Sequence, residues 1–208
     1  MLAMPRSVPS TWLRGRTRYC VWVIDLADPL HTSWRLKRRL AHWRQALAPW
    51  IHWGSRQPHI TLQVCGFACD SPAPQWNDDF TPAMQAAQCT ALERAAPGRL
   101  TLQIGTARSF ASAAYLEVDD PDHALAALRD ALVLPHDEFR NGPWVPHVTL
   151  GLYRRAWHRD RIMHALQSAQ PLPCRPIQVM VRAISLVSYD AAHLGGRLHT
   201  VWRHVLAP

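Results

Sequence analysis

The five-residue phrase Pro-His-x-Thr-Leu occurs twice in this chain, at Pro58–Leu62 and at Pro146–Leu150. Histidine titrates near neutral pH, so one imidazole can accept a proton while a second donates one. The threonine two residues later adds a hydroxyl donor. Two such phrases arise by chance with a probability on the order of one in 10⁵ if positions are independent. The repeat therefore indicates function rather than two strands that merely look alike.

On a β-strand, side chains two residues apart point to the same face. His59 and Thr61 therefore share one face of their strand, while Ile60 between them points into a core. His147 and Thr149 follow the same rule. Two such faces turned toward each other place two imidazoles and two hydroxyls around one central atom.

This arrangement suits displacement at phosphorus, where the entering and leaving oxygens lie roughly in line. One neutral imidazole takes the proton of the nucleophile, and one imidazolium protonates the leaving oxygen. The threonine hydroxyls donate to the non-bridging oxygens, where negative charge accumulates. We therefore predict His59 and His147 as catalytic residues and Thr61 and Thr149 as phosphate-binding residues, with neither metal nor cofactor.

The surrounding elements repeat in the same order in both halves: strand, helix, Pro-His-x-Thr-Leu strand, helix. The first half begins with a buried strand at Arg18–Leu26, and its second helix has Thr81 as N-cap and Pro82 at the first helical position. The pattern predicts a single domain with two lobes, residues 18–208. Residues 1–17 are predicted to form a flexible leader.

The paired motifs resemble those of the two-histidine (2H) phosphoesterase superfamily, and specifically the LigT-like bacterial RNA 2′,3′-cyclic phosphodiesterases, also called 2′-5′ RNA ligases. The segments RYCVWVID, IGTARSF and ISLVSYD add support, and the resemblance covers about Arg18 to Val205. The first motif reads HITLQVCGF where the bacterial pattern commonly reads HxTLxFLG. This departure leaves the subfamily and the substrate open.

The resemblance implies a bilobal α+β fold, with two antiparallel sheets, helices outside and a central cleft that carries both HxTL motifs. It also implies metal-free opening of 2′,3′-cyclic phosphates to 2′-phosphates, with reversible 2′-5′ ligation of RNA in some members. By position, His59 would be the general acid on the 3′-oxygen and His147 the base that activates water. Phe110 matches a base-stacking position, with a core position as the alternative. Trp144, close to the second motif, is a further stacking candidate.

The formal net charge of +8 and the sequence pI of about 9.9 favour anionic partners. The expected partner is RNA with a 2′,3′-cyclic phosphate end or a small cyclic nucleotide. Lys37 is the only lysine, so the basicity comes from arginine and can equally reflect a GC-rich genome. One helix face fits either an RNA backbone or a solvated surface; its basic residues are Arg35, Lys37, Arg38, Arg39 and Arg44.

The sequence lacks both a signal-peptide core and an apolar run long enough for a membrane span, so a cytoplasmic protein without membrane contact is expected. Five cysteines without paired spacing favour idle thiols over a zinc site. The helix patterns give no argument for a dimer, and a monomer is expected.

Two other functions remain open at this point. The first is an RNA- or nucleotide-binding module of the same fold with little turnover. The second is a metal-dependent hydrolase, disfavoured because neither motif histidine has a carboxylate or cysteine ligand near it in sequence. Glu117 and Asp119 alternate on a predicted strand and are candidates to orient an active-site imidazole.

Overall fold

The computed structural model describes residues 9–27, 29, 33–133, 143–171 and 173–208. Its helices are α1 Ser10–Leu13, α2 Trp34–Ala46, α3 Pro82–Ala95, α4 Ala124–Ala131 and α5 Arg159–Ser168. Its strands are β1 Arg18–Asp25, β2 Ile51–His52, β3 His59–Ala68, β4 Asp79–Phe80, β5 Leu100–Ser109, β6 Ala113–Asp119, β7 His147–Tyr153, β8 Ile177–Val181, β9 Ala183–Asp190 and β10 His199–Val205. Every predicted long strand and helix has a counterpart, which confirms the α+β assignment.

The strands form one sheet in the order β10-β9-β1-β3-β7-β6-β5-β8, with β2 paired to β7 and β4 paired to β3. All described pairings are antiparallel except that between β3 and β4. The resemblance implied two antiparallel sheets. In the structure they are the halves of one sheet: the first half-sheet is β10-β9-β1-β3 and the second half-sheet is β7-β6-β5-β8. The two half-sheets join at β3 and β7, the strands that carry the repeated phrase.

The connection between the half-sheets is a single registered pair, Ile60 opposite Val148. In an antiparallel register, Pro146 would lie opposite Leu62 and Pro58 opposite Leu150. Proline has no N–H to donate to a ladder. The two prolines of the repeated phrase therefore explain why pairing ends on both sides of this contact and the half-sheets diverge.

Side chains satisfy the carbonyls that β3 presents where β7 no longer follows it. The Trp144 indole N–H donates to the Thr61 carbonyl oxygen at 3.2 Å. The Arg129 guanidinium donates to the carbonyl oxygen of Leu62 and lies 4.5 Å from the centre of the Trp144 ring. Buried carbonyl groups need such partners, so this aromatic–cation pair stabilises the diverging strand.

The main hydrophobic core runs under both half-sheets, on the face where the helices pack. Ile60 and Val148 are fully buried in it. The helix stripes predicted from sequence point into it, for example Leu36, Leu40 and Trp43 of α2. As predicted, the Thr81 hydroxyl accepts the Met84 N–H at 3.2 Å and begins α3 with Pro82 in the first turn. No helix of the described residues is long and apolar enough to cross a bilayer.

A smaller core lies on the opposite face of the first half-sheet, and the N-terminal segment covers it. Trp12 packs edge-on against Phe67 with ring centres 4.8 Å apart. Arg16 forms ion pairs with Asp78 and Asp79 at 2.6 and 2.5 Å. Trp12, Leu13 and Arg16 of the predicted leader thus contact the folded domain, while residues 1–8 lie outside the described part of the chain.

Gly66 occupies a backbone conformation that other residues rarely adopt, with φ of +115°. A Cβ there would lie 2.3 Å from the backbone oxygen of Asp78, which accepts the neighbouring N–H of Phe67. We expect Gly66→Ala to reduce the free energy of unfolding by about 1–3 kcal/mol or more. Urea denaturation measures this loss.

Gly98→Ala is the matched control, because no heavy atom lies within 4 Å of the position of its Cβ. We expect its unfolding free energy to stay within about 1 kcal/mol of the wild-type value. Equal losses in the two variants would contradict the close approach at Gly66.

Candidate functional site

The single contact between the half-sheets brings the two motifs together. Ile60 and Val148 pair with their side chains in the core, so the residues on either side of each point to the opposite face. Along the antiparallel register, His59 comes next to Thr149, and Thr61 next to His147. All four side chains are partly exposed. The four predicted site residues thus line one cleft where the sheet halves diverge.

Both imidazoles are oriented by the same local hydrogen bond. Nδ1 of His59 lies 2.7 Å from the carbonyl oxygen of Gln57, and Nδ1 of His147 lies 2.7 Å from that of Val145. A carbonyl oxygen only accepts, so Nδ1 carries the hydrogen in both rings. Nε2 is then the atom left to exchange a proton on the cleft side. In each case the acceptor is the carbonyl of the residue before the proline. Proline restricts the backbone conformation of the residue that precedes it.

The carbonyl that orients His59 is itself held in place. The Gln57 side chain donates to the Leu198 carbonyl oxygen at 3.0 Å and accepts the Leu198 N–H at 2.9 Å. This two-way contact ties the loop before β3 to the segment before β10. The histidine therefore sits on a support that involves both edges of the first half-sheet.

The threonine hydroxyls are available to a ligand. Within the described part of the chain, neither the Thr61 nor the Thr149 hydroxyl has a hydrogen-bond partner. Because a hydroxyl can rotate to suit an acceptor, each can donate to an oxygen of a group bound between the strands. The two hydroxyls lie on the same face of the strands as the two imidazoles.

His59 is held neutral by its surroundings. Burial is the largest cause and lowers the pKa of His59 to about 4, and the positive charges of Arg56 and His147 lower it further. The hydrogen bond to the Gln57 carbonyl acts in the opposite direction. At neutral pH the free protein therefore has a His59 whose Nε2 is unprotonated and able to accept.

Arg56 is a functional candidate that the sequence analysis did not identify. Its Nε donates to the Gly196 carbonyl oxygen at 3.1 Å, and its guanidinium lies 4.0 Å from the centre of the Tyr189 ring. Its Nη2 is buried and lacks a hydrogen-bond partner among the described residues. Burial lowers the pKa of Arg56, but the group remains a cation. A half-buried cation that is close enough to His59 to lower its pKa is suited to an anionic ligand.

No motif indicated Arg56, since it is one of many arginines and lies in a loop. The available signal was its position three residues before His59. Its loop also borders a cavity of about 640 Å³ between the half-sheets, lined among others by Gly54, Leu152 and Gly195. A cavity of this volume is in the range of small-molecule sites.

His147 is surrounded by aromatic rings instead. Phe110 and Tyr115 stack on each other with centres 4.0 Å apart and planes 18° apart. Both rings meet the imidazole edge-on, at 4.9 Å for Phe110 and 5.4 Å for Tyr115. Phe110 is partly exposed, so of the two alternatives for this residue the structure places it at the cleft rather than in the core. Tyr115 had no sequence signal of its own.

The remaining residues predicted from the sequence are Glu117, Asp119 and Trp144. The Glu117 carboxylate lies on the cleft face opposite His147, but it accepts from the Thr106 hydroxyl at 2.8 Å and from Arg108 at 2.9 Å. The orienting acceptor of His147 is the Val145 carbonyl, and Asp119 is exposed. Trp144 reaches the cleft region as a donor to Thr61, with one ring face against Arg129.

Comparison with known proteins agrees with this architecture. Residues 32–193 match the family model of the 2′-5′ RNA ligase superfamily. The fold is similar to that of Escherichia coli LigT complexed with 3′-AMP, with a TM-score of 0.62, 17% identity and coverage of 92% of this chain and 99% of LigT. A protein from Thermus thermophilus gives a TM-score of 0.60 at 13% identity, with 90% and 97% coverage. A search of curated proteins returned no match.

The environment of His59 makes a prediction for its titration. We expect the imidazole carbons of His59 to titrate in NMR spectra near pH 4, and Arg56→Gln to raise this midpoint because a neighbouring positive charge is removed. The midpoint should stay below the ordinary value of about 6.5, since burial remains.

Arg155→Gln is the control, because Arg155 lies at the surface against Trp157 and should leave the midpoint unchanged. The His59 signals are identified by their loss in His59→Gln. A wild-type midpoint near 6.5 would show that the ring is solvated rather than buried.

Proposed function

Because the chain belongs to the 2′-5′ RNA ligase superfamily of 2H phosphoesterases, we propose that it hydrolyses 2′,3′-cyclic phosphates at RNA ends or in nucleotides. The observation that carries the proposal is the pair of Nε2 atoms set on one cleft by identical Nδ1 hydrogen bonds. The two threonine hydroxyls and the half-buried Arg56 near His59 suit a phosphate monoanion. These groups supply acid, base and charge stabilisation, so the proposed reaction requires no metal.

In the proposed reaction, a water oxygen attacks phosphorus and the bond from phosphorus to the 3′-oxygen breaks, which leaves a 2′-phosphate and a 3′-hydroxyl. His147 Nε2 takes the water proton and His59 Nε2 protonates the 3′-oxygen. Thr61 and Thr149 donate to the non-bridging oxygens. With a 5′-hydroxyl in place of water, the same groups would perform reversible 2′-5′ ligation.

The role of His59 as acid requires that it gains a proton when substrate binds. In the free protein, burial keeps it neutral, and the positive charge of Arg56 acts in the same direction. A bound phosphate places a negative charge beside the ring and raises its pKa, because the charged imidazolium is then paired. Substrate binding and protonation of His59 are therefore coupled in this proposal.

Phe110 is the proposed stacking residue for the nucleobase. Its ring is partly exposed, lies beside His147 and is backed by Tyr115. A flat apolar surface therefore lies next to His147, where a nucleobase could stack while the phosphate lies between the two imidazoles. The complex of E. coli LigT with 3′-AMP supports a nucleotide as the ligand class. Trp144 is proposed as a second, more distant contact.

The proposal is tested by hydrolysis of 2′,3′-cyclic mononucleotides and of a short RNA with a 2′,3′-cyclic phosphate end, in the presence of EDTA. We expect wild-type turnover, and losses of about 10²–10⁴-fold in kcat for His59→Ala and for His147→Ala. Thr61→Val and Thr149→Val should each lose about 10–10³-fold, since one donor to the developing charge is removed.

His164→Ala on α5 and Thr101→Val on β5 are the matched controls, because both residues lie away from the contact between β3 and β7. They should retain wild-type rates. A requirement for added metal would contradict the proposed mechanism. Retained RNA affinity in an inert wild-type protein would favour the binding module instead.

The pH dependence follows from the depressed pKa of His59. The active form carries one proton on the histidine pair, so kcat/KM should fall as pH drops through about 4, where the second histidine becomes charged. Arg56→Gln should move this acidic limb to higher pH. The pH–rate curve has the same bell shape whichever histidine is the acid and whichever is the base. It therefore does not assign the two roles.

The roles are assigned with an activated substrate. A 4-nitrophenyl phosphodiester has a leaving group that needs no proton, so loss of the acid costs little. We expect His59→Ala to lose much less activity on this diester than on the cyclic phosphate, and His147→Ala to lose activity on both. The reverse pattern would make His59 the base.

A further inference from the structure

A second basic site lies on the helix side of the sheet, away from the two histidines. Helix α2, Pro171 and residues 173–177 enclose a groove of about 420 Å³. Its wall carries four arginines and one exposed tryptophan and has no acidic side chain among the described residues; the principal residues are Trp34, Arg35, Arg38, Arg39, Arg175 and Pro176.

The groove is preformed by hydrogen bonds between its two walls. Arg39 donates to the Gly105 carbonyl oxygen at 2.9 Å and to the Arg175 carbonyl oxygen at 2.7 Å. The His42 ring lies 2.7 Å from the Ala169 carbonyl oxygen. These contacts hold α2 against the segment that leads into β8, and prolines stiffen that segment. A ligand would therefore enter a fixed groove rather than order a loose one.

The remaining cations of the groove are free to bind an anion. Arg35, Arg38 and Arg175 are exposed and have no carboxylate partner within the described ranges. Trp34 is 65% exposed, which is unusual for the largest apolar side chain, and the Arg35 guanidinium lies 5.8 Å from its ring centre. Arginines that flank an exposed aromatic ring are the combination that binds single-stranded nucleic acid.

We propose that this groove binds the body of a single-stranded RNA whose cyclic phosphate end occupies the cleft. Trp34 stacks on a base, and Arg35, Arg38 and Arg175 contact phosphates on either side of it. An acidic peptide would use the arginines but leave the tryptophan without a partner ring. This inference rests on the proposed function and names its substrate class: RNA ends rather than free cyclic nucleotides.

The position of the groove fits a chain that crosses the edge of the sheet. Strand β8 is the edge of the second half-sheet. Arg175 precedes it in the groove, while Gln178, three residues later, pairs with Gln103 in a row that also holds Asp119 and faces the cleft side. An RNA chain that passes around this edge therefore leads from the groove on the helix side to the cleft side of the sheet.

The test compares two substrates in the same variants. For Arg35→Ala/Arg38→Ala, we expect KM for a ten-nucleotide RNA with a 2′,3′-cyclic phosphate to rise about tenfold or more, with a shallower salt dependence. For Trp34→Ala we expect a rise of at least about fivefold. The kcat/KM for a 2′,3′-cyclic mononucleotide should not change. Arg94→Ala, on the surface of α3, is the control.

An unchanged KM for the RNA, or an equal loss on both substrates, would overturn the proposal. Fluorescence anisotropy measures binding of the same RNA carrying a 3′-hydroxyl. This measurement distinguishes a failure of the groove proposal from a failure of the proposed function. There the groove variants should bind more weakly even if the wild-type protein cleaves neither substrate. Competition by an oligo-glutamate peptide as strong as that by RNA would also overturn it, because charge alone would then account for binding.

Discussion

The geometry of the site depends on how little the two half-sheets pair. A longer β3–β7 ladder would have made a continuous surface with the four motif side chains flat on it. The prolines before each histidine limit the ladder to Ile60 and Val148, because neither can donate where the next pair would form. The sheet therefore diverges on both sides of one buried pair, and the cleft is the space that the divergence creates. Trp144 and Arg129 satisfy the carbonyls that this leaves on β3.

The two copies of the motif share the same hydrogen bond from histidine to a backbone carbonyl but differ in their surroundings. Each histidine has the same Nδ1 contact, yet His59 is half-buried and feels the charge of Arg56, while His147 is bordered by the rings of Phe110 and Tyr115. Acid–base catalysis requires one protonated and one unprotonated partner, so identical environments would be a disadvantage. The packing around the repeat, rather than the repeat itself, supplies the difference.

Much of this arrangement was readable from sequence because it depends on local rules. The alternation in PHITL and PHVTL placed His59 beside Thr61 on one face, and Thr81 followed by Pro82 marked the start of α3. The joining of the half-sheets was not readable, since one pair between Ile60 and Val148 leaves no pattern beyond the phrase itself.

Long-range contacts account for the other differences. Arg56 becomes a candidate only when the fold places it beside Tyr189 and Gly196. Trp12 also meets its partner rings, Tyr19 and Phe67, only in the folded chain. Likewise, Glu117 lies opposite His147 as its strand position suggested, yet its carboxylate is occupied by Thr106 and Arg108.

The Nδ1 contacts make each motif a self-contained unit. In many acid–base sites a histidine takes its orientation from a carboxylate supplied by a distant part of the chain. Here the acceptor is a main-chain carbonyl two residues away, present whatever side chain occupies that position. Copying half of the domain therefore copies an imidazole together with the carbonyl that orients it. An ancestor with one such half could have gained its second imidazole simply by pairing with another copy of itself.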